Sequence, residues 1–188
     1  MTGAKLMAFP CAAVALLLLL RPAEASDWNV MAATSWLGFT GTAAGAPFEG
    51  RFSRWQARIS FDPAKAELGH AVVTVDMTSA LTGDRQKDQA LPQAGWFDAA
   101  AFPKATLDVQ SFRRKDGNDY EAVGTLTLRD VTKAIVMPLT IEVSGSTLRA
   151  KGHLDLVRTD YGVGQATSAQ WVGLEVVAAF DVTADRLP

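Results

Sequence analysis

The chain has 188 residues, with 48% hydrophobic residues, 20% charged residues and a formal net charge of −2. That is enough for one domain with a core of its own. The near-balanced charge contains no basic block, which excludes an electrostatic footprint for nucleic acid.

Residues 1–25 read as an export leader. Lys5 gives a positive start, Met7 to Leu20 is an apolar run interrupted by Pro10, and Ala23-Glu24-Ala25 is a small-residue cleavage site before Ser26. The run is too short for a spanning helix, for which about 20 apolar residues are needed. Cys11, the only cysteine, lies inside this leader, so the expected mature chain, residues 26–188, has none. An exported domain without disulfides must rely on its core. A bacterial periplasm suits this leader and a cysteine-free domain.

Trp28 to Met31 forms a short first segment, and Ser35, Leu37 and Phe39 alternate with small or polar residues as in a half-buried strand. A loop is expected from Gly41 to Pro47. Apolar residues then occupy even positions (Phe48, Gly50, Phe52) and, beyond Arg54, odd positions (Trp55, Ala57, Ile59, Phe61). Such a change of parity requires a bulge or sharp bend in one long strand. Ala71, Val73, Val75 and Met77 mark the next strand. Residues 82–103 do not alternate; two short helices are expected there, at 85–91 and after Asp98 as N-cap.

Strands resume at Ala105, and Asp116-Gly117 predicts a tight hairpin. Regular alternation follows from Tyr120 to Leu128 and from Ile135 to Val143, where Pro138 marks an edge, bulge or break. Further strands run from Leu148 to Leu156 and from Val172 to Val182. The intervening Gly162 and Gly164 read as turn formers. Together these segments predict an all-β fold, an antiparallel up-and-down barrel of about eight strands with a short helical insertion capping one end. Many inward positions are small (Gly50, Ala57, Gly124, Gly152), which suggests space for one small ligand.

Several segments also resemble a known family. They are Gly50-x-Phe52-x-x-Trp55, Leu81-Thr82-Gly83 before Lys87-Asp88-x-x-Leu91, Trp96-Phe97-Asp98 with Phe102-Pro103, residues 124–133, and Arg158-x-Asp160-Tyr161-Gly162-Val163-Gly164. In order and spacing they resemble the YceI-like proteins of the bacterial periplasm. The resemblance implies a lipocalin-like barrel that binds a polyisoprenoid. The chain departs from the family pattern at Gln89, where histidine is usual.

No residue set for catalysis or metal binding stands out. His70 and His153 lie in different segments, with no cysteine to join them, and no nucleophile elbow occurs. A catalytic role, a metal and a cofactor are therefore not expected. Candidate ligand-binding residues are the aromatics Phe39, Phe52, Trp55, Phe97, Phe102 and Trp171, with Arg158 and Tyr161 for a polar head group at the barrel mouth. Arg54, at the parity change, is a candidate inward cation with Asp88 or a ligand anion as its partner. Burying each methylene contributes about 0.8 kcal/mol, so an isoprenoid chain, or a fatty acid or amide, needs few polar contacts. A filled barrel acting as an interaction module in a membrane redox or stress-response system is the alternative. The oligomeric state is left open, a homodimer included.

Overall fold

The computed structural model describes residues 26–188; the leader expected at 1–25 lies outside them. The strands are β1 (Asp27–Val30), β2 (Trp36–Ala43), β3 (Ala46–Phe52), β4 (Trp55–Ser60), β5 (His70–Asp76), β6 (Ala80–Leu81), β7 (Lys104–Arg114), β8 (Asp119–Leu128), β9 (Val131–Ser144), β10 (Thr147–Val157) and β11 (Glu175–Arg186). One α-helix, α1 (Arg85–Ala90), stands between β6 and β7. Antiparallel neighbours run β1-β4-β5-β7-β8-β9-β10-β11, and β11 pairs back onto β1. This is the closed, all-β barrel of eight strands that the alternation predicts.

The other three strands are continuations. Beyond a bend, β2 extends β1 along β11, β3 extends β4, and β6 extends β5 along β3. The parity change near Arg54 is the bend at Ser53-Arg54, where β3 hands over to β4. Bends 31–35 and 77–79 lie at the same level and contain 3-10 turns, Ala32–Thr34 and Met77–Ser79. Ser79, buried, ties one joint together: its hydroxyl accepts from the Arg54 N–H at 3.1 Å and lies 2.7 Å from the Asp76 carbonyl.

Some local expectations change. Gly41 to Pro47 is not a loop, because β2 and β3 continue to a two-residue turn at Ala44-Gly45. Both have positive φ, 49° and 78°, as the twist-compatible hairpin turn requires. The second helix expected after Asp98 does not form. Asp98 itself is left-handed (φ 50°) and turns its carboxylate to Arg129 at 3.7 Å, leaving a single turn closed by the Phe102 N–H on the Asp98 carbonyl. Pro138 does mark an edge: pairing of β9 with β10 stops beside it, at Leu139↔Gly152.

Two apolar clusters fill the barrel. One, at the β1–β4 end, contains Trp28, Phe61, Phe112, Tyr120 and Leu148, and the Trp28 indole N–H donates to the Phe61 carbonyl at 2.9 Å. The other, beneath the 82–103 segment, contains Phe39, Met77, Leu91, Phe97 and Tyr161. The small inward residues do not simply leave space. A Cβ on Gly50 would fall 2.3 Å from the Phe39 ring, and one on Gly152 would fall 2.8 Å from Leu139 Cβ and 3.0 Å from the Phe180 ring. These glycines are seats for large neighbours.

Arg54 does not point inward. Its side chain is 58% exposed, and its Nε donates to Asp76 at 2.8 Å. A second nitrogen donates to the Thr78 hydroxyl at 2.6 Å. The outer bend of the strand carries it away from the interior. The Arg54 hydrogen bond, then those from Thr78, lower the Asp76 pKa to about 2. A carboxylate held below its unfolded value, near 4, adds stability above that value and loses it as pH falls towards 2. Exposure on both sides keeps the effect at about 0.2–1 kcal/mol. In urea unfolding, Asp76→Asn should be less stable than the wild type at pH 7, with the gap closing between pH 4 and pH 2.

Candidate functional site

The barrel interior holds two apolar lobes of about 170 and 90 Å³. Phe39, Phe48, Phe52, Trp96, Phe97 and Tyr161 line the larger. Trp55, Ile59, Phe61, Phe112 and Leu148 line the smaller. Leu37, Val73, Leu107, Met137 and Phe180 belong to both and form a waist between them. An apolar cavity of roughly 150 Å³ stays dry and takes up apolar guests. The ionisable residues in the linings are Arg158 and Tyr161. The chemistry available is therefore burial of an apolar chain.

Arg158 is 4% exposed. Its Nε donates to the Gly173 carbonyl at 2.9 Å. One terminal nitrogen donates to Val163 at 3.0 Å and to Gly164, the other to Thr167 at 3.0 Å and Val172 at 2.9 Å. All five N–H groups of a guanidinium are thereby spent on backbone carbonyls. The expected contact with a ligand head group is overturned, since no donor remains to make it. Burial pushes the Arg158 pKa down, and the cation also lies 5.7 Å from the centre of the Trp96 ring. Tyr161, buried beside it, is brought to the larger lobe, with Lys133 Nζ 5.5 Å above its ring. Burial, then the nearby Asp160 charge, raises its phenol pKa.

The 82–103 segment closes the larger lobe with Leu91, Trp96 and Phe97. Its charged start is spent on its own turns. Asp84 caps α1, accepting from the Gln86 N–H at 2.9 Å and the Lys87 N–H at 3.2 Å. Asp88 accepts from the Thr82 N–H at 2.6 Å and its hydroxyl at 2.7 Å, which lower its pKa. Asp88 therefore pairs neither with Arg54 nor with the interior. Arg129 clamps the other end: it donates to the Trp96 carbonyl at 3.0 Å and to the Gly162 carbonyl, and lies over the Phe102 ring at 5.6 Å.

Of the aromatic candidates, Phe39, Phe52 and Phe97 gather around the larger lobe, with ring centres 5.3–6.5 Å apart. Trp55 reaches the smaller one. Phe102 lies beneath Arg129 and lines neither lobe. Trp171 is 64% exposed and contributes its carbonyl to the Ala44 N–H at 2.8 Å, so it is outside the site. Sequence reasoning missed the waist and Arg129. The waist residues sit on inward positions of their strands, but alternation does not say which of these meet across a barrel.

A model of the YceI-like domain matches residues 28–184. The chain belongs to the YceI-like family. Protein YceI of Escherichia coli is 33% identical over 88 residues, 47% of this YceI-like chain and 46% of the relative, so the match spans about half the length of each. The crystal structure of Burkholderia cenocepacia BcnA superposes with a TM-score of 0.79 at 30% identity, covering 82% of this chain and 99% of that one. A polyisoprenoid binding domain from Saccharophagus degradans, implicated in plant cell wall breakdown, shares the fold at 19% identity and a TM-score of 0.70. It covers 87% of this chain and 99% of that one.

Proposed function

We propose that this YceI-like chain is a periplasmic, non-catalytic carrier of a long-chain amphipathic lipid. An isoprenoid, a polyprenyl phosphate or quinone-type tail, is the first choice, and a fatty acid or amide the second. The observation that carries this reading is the two-lobed apolar interior. Each buried methylene contributes about 0.8 kcal/mol, so a five-carbon isoprene unit contributes about 3–4 kcal/mol before ordering costs. The neighbour described as a polyisoprenoid binding domain supports the choice of ligand by shared fold.

Protein purified natively from the periplasm should yield an isoprenoid on organic extraction, identified by mass spectrometry, and its N-terminus should be Ser26. Empty protein that leaves added isoprenoid unbound, or protein found only in the cytoplasm, would refute the corresponding part. The waist favours the second reading, a filled barrel serving as an interaction module, and the same extraction decides between them.

A further inference from the structure

Besides the β9–β10 edge beside Pro138, the barrel wall is interrupted between β1–β2 and β3–β4. Pairing of β2 with β3 begins at Gly38↔Arg51, and pairing of β1 with β4 ends at Asn29↔Arg58. Between these points, among the described residues, none of 30–37 is paired with any of 52–57. The two flanking seams at this level are tied. Ser53 donates its N–H to the Ser79 carbonyl at 3.1 Å on one side. On the other, the Met31 N–H reaches the Thr183 carbonyl at 2.8 Å and the Thr183 N–H reaches the Ser35 hydroxyl at 2.9 Å.

A cleft of about 1090 Å³ lies over this seam. Leu37, Phe52, Trp55 and Ala57 line it from their inward strand positions and also line the interior lobes. Side chains on a strand face one side of the wall or the other. These four serve both sides because no ladder separates the sides here. Outside them the lining mixes apolar residues (Val30, Trp36, Val72, Leu81) with polar ones and carries two exposed arginines, Arg51 and Arg58, with Glu49 as the carboxylate. Arg51 lies 5.5 Å from the centre of the Trp36 ring, and among the described residues neither arginine forms an ion pair.

We propose that this seam is a lateral window: the tail of the lipid passes through it into the lobes, and an anionic head stays in the cleft against Arg51 or Arg58. The proposal rests on the lipid-carrier reading above. A phosphate or carboxylate drawn into the lobes would lose its hydration and find no free cation, since the donors of Arg158 are spent. In the cleft it keeps water and meets an exposed guanidinium fork, Arg51 at one end of the seam and Arg58 at the other, which suits phosphate and carboxylate alike. The opposite way in, through the cap, is clamped by Arg129 and Arg158.

Calorimetric binding of farnesyl phosphate and farnesol tests the head site, because the two share a tail. The phosphate should bind about tenfold more tightly, and the double variant Arg51→Gln/Arg58→Gln should bring the two affinities together. A cysteine placed by Gln56→Cys in the cysteine-free mature chain should be protected from maleimide by farnesyl phosphate, and one placed by Val136→Cys should not. Equal affinities in the wild type, or an unprotected Gln56→Cys with lipid bound, would overturn the window and leave the carrier standing. Binding of neither ligand would remove both readings. Protection by inorganic phosphate alone at the same concentration would show an anion site unconnected with the barrel and overturn the window.

Discussion

Arg158→Met should destabilise the protein by about 3–5 kcal/mol, read from the shift in urea midpoint at constant slope. Methionine keeps most of the apolar stem but returns no hydrogen bond. The carbonyls of Val163, Gly164, Thr167, Val172 and Gly173 lose their common donor, and each that stays dry is left unsatisfied. Residues 162–173 form no strand, and their remaining ties are single bonds such as the Gly164 N–H to the Gly95 carbonyl and the Gly173 N–H to the Thr42 carbonyl, both 2.9 Å. The change should therefore also expose amide protons in this loop to exchange well below the unfolding transition. Arg158→Lys, with three donors instead of five, should recover part of the stability. Full stability in Arg158→Met would show that the five contacts are dispensable.

Phe97→Ala should cost about 3–5 kcal/mol, a fall visible in thermal or urea unfolding. Phe97 is 9% exposed and packs on Phe39 and Phe52 at ring-centre distances of 6.5 and 6.3 Å. Its backbone is fixed by the N–H bond to the Leu91 carbonyl at 2.9 Å, so the neighbours have little freedom to collapse into the vacated space. With the cap pinned at both ends, the residue acts as a plug, and the rate at which lipid loads should not change. Faster loading at near-unchanged stability would instead make the cap a gate.

The barrel was legible because alternation on successive strands is a local pattern, and the parity change at Ser53-Arg54 located a bend to the residue. The turn at Ala44-Gly45 was not, since an alanine with positive φ carries no sequence signal. The site was legible only for its apolar part: Phe39, Phe52, Phe97 and Trp55 stand on inward positions and reach the lobes. The charged candidates failed for two separate reasons. The partners of Arg158 are main-chain carbonyls, which every residue has, and the direction of Arg54 depends on which residue of the bend turns out. Small inward residues misled in another way, because Gly50 and Gly152 fit aromatic rings instead of empty space.

The pairing of β1 with β11 joins Trp28 to Arg186 in register, and the Arg186 guanidinium lies 5.0 Å from the centre of the Trp28 ring. The first and last strands of the described chain are thus the final staves to meet. A growing chain short of residues 175–186 leaves one edge each of β10, β1 and β2 unpaired, and it lacks Val182 and Ala184 from its interior. Closure is therefore a long-range event that waits for residues 175–186. Folding cannot complete stave by stave from the N-terminal strand, because the last stave holds both open edges.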